Sequence, residues 1–167
     1  ETLAALFEGY SERIFLYLLY RCDDTATAQD LAGQVFDRLF RSLPKYDPQR
    51  APLSAWVFAI AHHVVTDWQR RQYLHRIFPW EDFFRYPSAE PGPEQVLLES
   101  EERLQLWAAL GQLSERERDL VALRFSSDLT NRQIAELTGL SQGNVAVILF
   151  RALRKLRQSL TPTDEIT

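Results

Sequence analysis

Two short helical patterns separated by a glycine, within residues 130–157, constrain the fold more than any other feature of the sequence. Helices that cross this tightly require a small residue at their contact, a residue such as glycine in the turn, and apolar anchors on the second helix. Ala135 and Gly139 occupy the first two positions, and Thr130 and Ser141 can cap the two helices. The stretch therefore predicts a helix-turn-helix unit. Its other predicted core residues are Ile134, Leu137, Leu140, Val145, Ile148 and Leu149.

The second helix of this unit separates into two faces on a wheel of 100° per residue. One face is apolar and is predicted to lie in the core: Val145, Leu149, Ala152 and Leu156. The first turn and the opposite face are predicted to bind DNA, because the first turn of such a helix reaches base edges and later arginines reach phosphates. The predicted DNA-binding residues are Gln142, Asn144, Val147, Phe150, Arg151, Arg154 and Arg157, with Lys155 among the later cations.

Val147 and Phe150 are unusual members of this set, because apolar side chains on an outward face need a reason to be there. Two interpretations stay open. In the first, the two side chains contact thymine methyl groups in the major groove. In the second, they pack against an inhibitor or against the first domain while the protein is idle.

Helical periodicity extends over almost all of the chain apart from residues 77–94, and strand patterns are nearly absent. We therefore predict an all-α fold of two small helical domains joined by a flexible linker. The first domain is assigned to residues 1–75, the linker to 76–94 and the helix-turn-helix domain to 95–160. Four prolines resist regular structure in residues 76–93, but five aromatic residues there favour a segment that packs against something over a loose tether.

The first domain is predicted to contain helices over residues 3–22, 26–43 and 54–73, with Ser54 as the N-cap of the third. Helical spacing defines their inner residues. These are Leu6, Phe7, Tyr10, Ile14, Tyr17 and Leu18; then Leu31, Val35, Phe36, Leu39 and Leu43; then Trp56, Val57, Ile60, Ala61, Val64, Val65 and Trp68.

The second domain is predicted to begin with a helix over residues 94–113. Another helix follows over residues 113–125. Ser114 caps this helix, and Glu117 at the third helical position completes a capping box.

Charge is distributed unevenly along the chain, whose net charge is −4. Residues 73–102 carry seven acidic and two basic side chains, whereas residues 129–157 carry five basic and one acidic. Affinity for DNA comes largely from Lys and Arg on phosphates, so an acidic chain with one basic end is poorly suited to bind DNA alone. This distribution indicates a protein that reaches DNA with the help of a partner.

No catalytic or metal-binding pattern is present, and we expect neither an enzyme nor a cofactor. The sequence lacks a glycine-rich phosphate loop, a nucleophile motif and metal-ligand spacing. His62 and His63 point about 100° apart on a helix and have no third ligand nearby in sequence. The lone Cys22 excludes an internal disulfide and is expected as a core residue at a helix end. No apolar run approaches the roughly 20 residues that span a bilayer, and a cytoplasmic location is expected.

Three blocks of the sequence resemble the extracytoplasmic-function group of bacterial RNA polymerase sigma factors, within the sigma-70 family. They are FEGYSERIFLYLLYR, AQDLAGQVFDRLFRSLPKYDPQRAPLSAWVFAIAHHVVTDWQRR and LSERERDLVALRF followed by LTNRQIAELTGLSQGNVAVILFRALRKLR. The resemblance covers nearly all of the chain apart from the linker. It implies a transcription initiation factor whose first domain binds the clamp helices of core polymerase and opens the promoter −10 element. The second domain would bind the −35 element as duplex.

The resemblance also implies roles for individual residues. The block DLAGQVFDRLF matches the clamp-binding helix, and WVFAIAHHVVTDWQRR matches the helix that reads and melts the −10 element. The implied core-polymerase-binding residues are Asp30, Gln34, Asp37 and Arg41. The implied −10 DNA-binding residues are His62, His63, Thr66, Asp67, Arg70 and Arg71. The DNA-binding residues of the helix-turn-helix become the −35 contacts.

Two positions depart from the pattern of the group. His63 stands where the family usually has Asn near an extruded base, and an imidazole can stack on or hydrogen-bond to such a base with a different specificity. Ala146, Val147 and Ile148 stand where the family usually has a polar, basic run. This departure leaves Arg151 and Arg154 with more of the DNA contact.

The implied partners are core RNA polymerase, promoter DNA and an anti-sigma factor that covers the polymerase-binding faces. Unpairing and unstacking cost a few kcal/mol per base, which a small acidic protein cannot supply alone. Polymerase would hold both DNA-reading domains at a fixed spacing and so add their affinities through effective concentration. The alternative is a stand-alone helix-turn-helix regulator that acts as a dimer and binds duplex DNA without polymerase.

Overall fold

The computed structural model describes residues 3–22, 24–77 and 101–161 of the 167-residue chain. Within these ranges the regular secondary structure consists of seven α-helices and one short 3-10 turn, which confirms the all-α prediction. The chain divides into two compact units, Glu1–Gly92 and Pro93–Thr167. None of the helices in the described part of the chain is both long and apolar enough to cross a membrane.

The first unit is built from three helices. Helix α1 spans Leu3–Cys22, α2 spans Thr25–Ser42, and α3 spans Leu53–Ile77. A 3-10 turn over Leu43–Lys45 leads into the proline-containing loop before α3. The core between them is apolar and consists of Leu6, Ile14, Tyr17, Leu18, Leu19, Ala28, Leu31, Val35, Phe36, Leu39, Val57, Phe58, Ala61, Val64 and Val65.

Phe58 lies at the centre of this core, although its position in the sequence did not mark it as an inner residue. It is fully buried, and its ring meets that of Tyr17 edge-on at a centroid distance of 5.9 Å. Tyr10 approaches the same ring at 6.5 Å. Aromatic pairs in this geometry add about 0.5–1.5 kcal/mol beyond the burial of their area. Phe58 therefore joins α1 to α3.

The prediction for α3 was wrong at both ends of the helix and in the choice of its buried residues. The helix begins at Leu53, so Ser54 lies inside its first turn and is not its N-cap, and the helix continues to Ile77, beyond the predicted end at residue 73. The predicted linker from residue 76 therefore starts inside α3; its residues 78–94 lie outside the described part of the chain. Trp56 and Ile60 are half-buried and lie outside the inner arc that Val57, Phe58, Ala61, Val64 and Val65 form.

The start of α2 is fixed by the carboxylate of Asp24. This carboxylate accepts hydrogen bonds from the Thr27 hydroxyl and from the Thr27 backbone N–H, the latter at 2.8 Å. These hydrogen bonds stabilise the charged form and lower the pKa of Asp24 below its ordinary value of 3.8. Helix α2 therefore starts at a charged cap, which is favoured at the positive end of the helix dipole.

The second unit contains four helices. Helix α4 spans Glu101–Gly111, α5 Glu115–Ser127, α6 Asn131–Thr138 and α7 Gln142–Leu160. The predicted helix over residues 94–113 is described from residue 101 and ends at Gly111. The core of the unit consists of Ala109, Leu110, Leu113, Leu120, Val121, Ala122, Leu123, Leu129, Ile134, Ala135, Val145, Leu149, Ala152 and Leu156.

The predicted capping box at the start of α5 is confirmed. The Ser114 backbone N–H donates to the Glu117 carboxylate at 2.9 Å, and the Glu117 N–H donates to the Ser114 hydroxyl at 3.2 Å. At the other end of α5 the hydroxyl of Ser127 is fully buried, donates to the Leu123 carbonyl and accepts from the Leu129 N–H. Both ends of α5 are therefore fixed by side chains of the chain itself.

Candidate nucleic-acid interface

Helices α6 and α7 form the predicted helix-turn-helix, joined by the three residues 139–141. Thr130 and Gln133 build a reciprocal capping box at the start of α6. Gly139 ends α6 with φ +74°, a conformation that side chains disfavour, and its N–H donates to the Ala135 carbonyl at 2.9 Å. Ser141 then caps α7 by accepting from the Asn144 N–H at 3.2 Å. The two predicted helix caps and the predicted glycine of the turn are therefore all present.

The inward side of α7 anchors it against the other helices of the unit. Val145, Leu149, Ala152 and Leu156 are all buried, as the helical wheel predicted. Ala135 of α6 is also buried, which is consistent with its prediction as the small residue at the crossing. These buried contacts fix the direction in which the opposite side of α7 points.

The outward side of α7 presents cations and two apolar side chains to solvent. Phe150 is 69% exposed and Val147 is 47% exposed. The remaining predicted DNA contacts are also exposed: Gln142, Asn144, Arg151, Arg154 and Arg157. The sequence has no acidic residue between Gly139 and Thr161. This face can attract a polyanion without repulsion from its own helix.

Lys155 is held by a carboxylate of its own unit instead of being presented with the arginines. Its Nζ lies 2.7 Å from Oε1 and 2.9 Å from Oε2 of Glu117, the residue of the α5 capping box. Burial opposes ionisation of Glu117, but the hydrogen bonds from Lys155 and from the Ser114 N–H outweigh it and lower the Glu117 pKa below 4.5. Lys155 therefore joins α7 to α5.

The outward side of α3 combines polar groups with aromatic rings. His63, Arg70 and Arg71 are exposed, while His62, Thr66 and Asp67 are half-buried. Side chains seven residues apart point in nearly the same direction on a helix. Trp56, His63 and Arg70 therefore lie along one line of α3. This line did not emerge from the sequence, because Trp56 was predicted in the core.

Trp56 is covered by the loop that precedes α3. The Tyr46 ring lies 4.8 Å from the Trp56 ring, with 35° between their planes. The Tyr46 hydroxyl donates to the Ala51 carbonyl at 3.1 Å, which closes the loop on itself. Both residues remain half-buried, so the tilted pair of rings offers aromatic surface at the N-terminal end of the His63 line.

Asp67 faces a neighbouring helix. Its Oδ2 lies 3.7 Å from Nη1 of Arg38 on α2, and both side chains are 47% exposed. A carboxylate alone would repel phosphate, and the guanidinium offsets that repulsion. The pair therefore connects α2 and α3 at the edge of the outward face of α3.

The four predicted polymerase contacts lie together on the outward side of α2. Asp30, Gln34, Asp37 and Arg41 are all exposed. Asp37 and Arg41 form an ion pair one helical turn apart, with Oδ2 and Nη2 3.0 Å apart. This face is polar and open to solvent.

An aromatic patch adjoins this polar face and was missed from the sequence. It consists of Phe7, Phe36 and Phe40, with ring centroids of Phe7 and Phe40 at 4.9 and 5.8 Å from that of Phe36. Phe7 was predicted to lie inside but is 52% exposed, and Phe40 is 37% exposed. The sequence did contain a signal for this patch, because Phe36 and Phe40 are four residues apart and so lie on the same side of α2.

Within the described ranges no three His, Cys, Asp or Glu side chains come together in a way that could hold a metal ion. The rings of His62 and His63 lie 6.3 Å apart and nearly perpendicular. Cys22 is half-buried at the last residue of α1, and its thiol donates to the Leu18 carbonyl at 2.9 Å.

Comparison with known proteins matches each unit to a family model. The model described as "Sigma-70 region 2" matches residues 6–74, and "Sigma-70, region 4" matches residues 109–158. The chain is 30% identical to ECF RNA polymerase sigma factor RpoE of Cereibacter sphaeroides over 96% of this chain and 87% of that protein. It is 27% identical to sigma factor BldN of Streptomyces coelicolor and covers 62% of that protein's length.

Solved structures show the same fold. The sigma factor RpoE in complex with the anti-sigma factor NepR from Bartonella quintana has a TM-score of 0.71 and 18% identity, over 94% of this chain and 95% of that chain. CnrH in complex with the cytosolic domain of CnrY has a TM-score of 0.67 and 20% identity, over 95% of this chain and 86% of that chain. At these identities the likeness establishes the fold.

Proposed function

The chain belongs to the extracytoplasmic-function sigma factors of the sigma-70 family, and from that premise we propose how its two units share the work of promoter recognition. The unit that contains α5–α7 binds the −35 element as duplex. The unit that contains α1–α3 binds core polymerase through α2 and the −10 element through α3. Such a factor acts in the cytoplasm, where polymerase and chromosome meet.

The outward face of α7 carries this proposal. Three exposed arginines, Arg151, Arg154 and Arg157, lie on a helix without acidic residues, and its opposite side is fully committed to the core. In a helix-turn-helix this second helix enters the major groove, with its first turn at the base edges. Gln142 and Asn144 are exposed in that first turn and can donate to or accept from bases.

The mixed surface of α3 fits single-stranded DNA better than duplex. Bases that have left the helix are bound by stacking on aromatic rings and by polar groups at their edges. The Tyr46–Trp56 pair supplies rings, and His63 supplies a ring with two nitrogens. Arg70 and Arg71 supply charge for the phosphates. His62 and Thr66 flank the same line. Asp67 acts through Arg38, whose guanidinium it aligns.

The polar face of α2 fits a protein partner, and the aromatic patch beside it strengthens that assignment. Interfaces concentrate their binding energy in aromatic residues and Arg surrounded by polar groups. Asp30, Gln34, Asp37 and Arg41 would bind polymerase, with Phe7 and Phe40 at the edge of the contact. An anti-sigma factor would inhibit the protein by covering this same surface.

Transcription with purified components tests the proposal. The full chain with core polymerase is expected to start RNA synthesis at defined sites on promoter DNA, whereas core polymerase alone is not. Promoters can be recovered for this purpose by repeated transcription from a library of randomised duplexes. If the chain bound such duplexes alone as a symmetric dimer and directed no initiation, the stand-alone regulator would be the correct assignment.

Matched variants separate the two surfaces. Asp30→Ala with Gln34→Ala is expected to weaken binding to core polymerase, with Glu12→Ala on α1, also an exposed acid, as the control. Arg154→Ala is expected to leave polymerase binding intact and to reduce the salt dependence of −35 binding by about one ion. Equal losses from both variants in both assays would contradict the division of roles.

A further inference from the structure

Val147 and Phe150 occupy the centre of the outward face of α7, where polar side chains are expected. The two residues are three apart, so they lie one helical turn apart on the same side, with roughly 5–6 Å between their Cβ atoms. Both point away from the buried row of Val145 and Leu149. Phe150 is 69% exposed and Val147 is 47% exposed, so both leave apolar surface open to a contact from outside.

The charges around this pair define the chemistry of the partner. Arg151 and Arg154 adjoin the two apolar side chains, and α7 carries no acidic residue. The outward face of α7 therefore fits a polyanion. Val147 and Phe150 can contact that polyanion favourably only where it presents an apolar group. The major groove of duplex DNA presents one such group, the C5 methyl of thymine.

We infer that Val147 and Phe150 select a −35 element by contacting the C5 methyl groups of two thymines. This inference rests on the proposed function, because it requires α7 to lie in the major groove. Base pairs follow one another every 3.4 Å along the helix axis. A separation of roughly 5–6 Å between the two Cβ atoms therefore places the thymines within one or two base steps of each other.

The first turn of α7 allows the approach that this contact needs. Gly143 lies on the same outward side, one turn before Val147, and has no side chain to hold the helix away from the groove. A Cβ added at Gly143 would meet no atom of the unit within 4 Å, so glycine is not required there by internal packing. Open space at Gly143 leaves the outward side of α7 unobstructed one turn before Val147.

Replacement of thymine by deoxyuridine tests the inference, because it removes the methyl group and preserves base pairing. The probe is a promoter recovered with the full chain and core polymerase, with each thymine of its −35 element replaced in turn. Two neighbouring positions are expected to lose about fourfold in affinity each, the value of burying one methyl group. Other thymines of the element are expected to have no effect.

The variant Val147→Ser with Phe150→Ser completes a double-mutant cycle. Its two substitutions lie on the exposed side of α7, so circular dichroism is expected to show an intact fold. The variant should bind thymine and deoxyuridine probes equally. Phe125→Ser, at a phenylalanine of α5 that is 64% exposed, serves as the matched control and should retain the fourfold preference.

Three results would overturn the inference. One is an unchanged affinity for every deoxyuridine probe while a scrambled −35 element still loses binding; the proposed function would then stand without methyl contacts. The second is a thymine preference that persists in the double variant. The third is a double variant that binds DNA normally but no longer binds an anti-sigma protein, which would assign the pair to a protein partner. Loss of all dependence on the −35 element in the wild-type chain would instead refute the proposed function.

Discussion

Helices α3 and α7, the two proposed DNA-reading helices, place their core and functional residues differently. On α7 the core row and the outward row face opposite directions, and the outward row is positively charged without an acidic residue. On α3 the outward side mixes histidines, arginines, Asp67 and Trp56, whose ring contacts that of Tyr46 in the preceding loop. A rigid duplex needs a continuous positive face, whereas unpaired bases need rings and varied polar groups.

The largest expected effect is on the free energy of unfolding, and it tests whether α3 and α7 are stabilised by separate cores. Phe58→Ala removes the ring at the centre of the first unit, and we expect a loss of about 3–5 kcal/mol in the free energy of unfolding of that unit. The second unit is expected to remain folded. Hydrogen exchange resolved by peptide during urea unfolding would report both units separately.

Phe125→Ala provides the matched control for this experiment. Phe125 is an exposed phenylalanine of the second unit, and removal of its ring is expected to change stability by less than about 0.5 kcal/mol. Loss of protection in both units upon Phe58→Ala would show that they unfold together, and the comparison of α3 with α7 as separately supported helices would fail.

The turn before α7 gives the next largest effect. Gly139→Ala places a Cβ on a residue with φ +74°, which is expected to cost about 1–2 kcal/mol in the stability of the second unit. Gly111→Ala is the control, because Gly111 does not have a positive φ and has open space around its Cβ position. Thermal unfolding of the full chain would measure both, and equal midpoints would contradict the role of Gly139.

Gly143→Ala separates stability from DNA binding on α7. The added methyl meets no neighbour and improves helix propensity, so the unit should gain up to about 1 kcal/mol. In the proposed complex the same methyl would point toward the groove, and it should weaken −35 binding severalfold. Unfolding midpoints and promoter affinity should therefore move in opposite directions, and an unchanged affinity would place Gly143 outside the contact.

The smallest expected effect is the loss of stability in acid, which should have a different cause in each unit. The folded-state pKa of Glu117 is lowered, so its pairing with Lys155 contributes stability above its ordinary pKa of 4.5 and loses it as the pH falls through the folded value. Asp24 behaves in the same way in the first unit, from an ordinary value of 3.8. Glu117→Gln should flatten the acid dependence of the second unit only, and Asp24→Asn that of the first.

These acid profiles can be followed by peptide-resolved hydrogen exchange from neutral pH to below pH 3.8, the ordinary pKa of Asp24. An acid dependence of the second unit that is unchanged in Glu117→Gln would show that its bond to Lys155 contributes nothing to stability. The expected amplitude is at most about 1 kcal/mol, since Lys155 is 49% exposed and solvent screens the pair.

The sequence predicted α7 well because only one of its sides carries an uninterrupted row of apolar residues at helical spacing. Val145, Leu149, Ala152 and Leu156 are buried, and Val147 and Phe150 are exposed, as the wheel required. The caps at Thr130 and Ser141 were equally accessible, because a side-chain cap depends on residues three positions apart. Residues only a few positions apart in sequence were therefore enough to predict the helix-turn-helix.

Helix α3 was harder to predict because apolar residues occur on almost all of its sides. Trp56 and Ile60 fitted a helical stripe as well as Phe58 did, and tertiary contacts decided between them. Tyr46, ten residues earlier, covers Trp56 through a loop whose path no helical period describes. Phe7 was misplaced for the same reason, since α1 is also apolar on several sides.

The short turn over residues 139–141 has a consequence for how new promoter preferences arise. The buried row of α7, the Lys155–Glu117 pair and Gly139 with its positive φ orient the helix. Under the proposed function, substitutions on the outward side should therefore change which bases are preferred without moving the helix. We therefore expect that exchanging the exposed residues of α7 between two such proteins transfers target choice along with them.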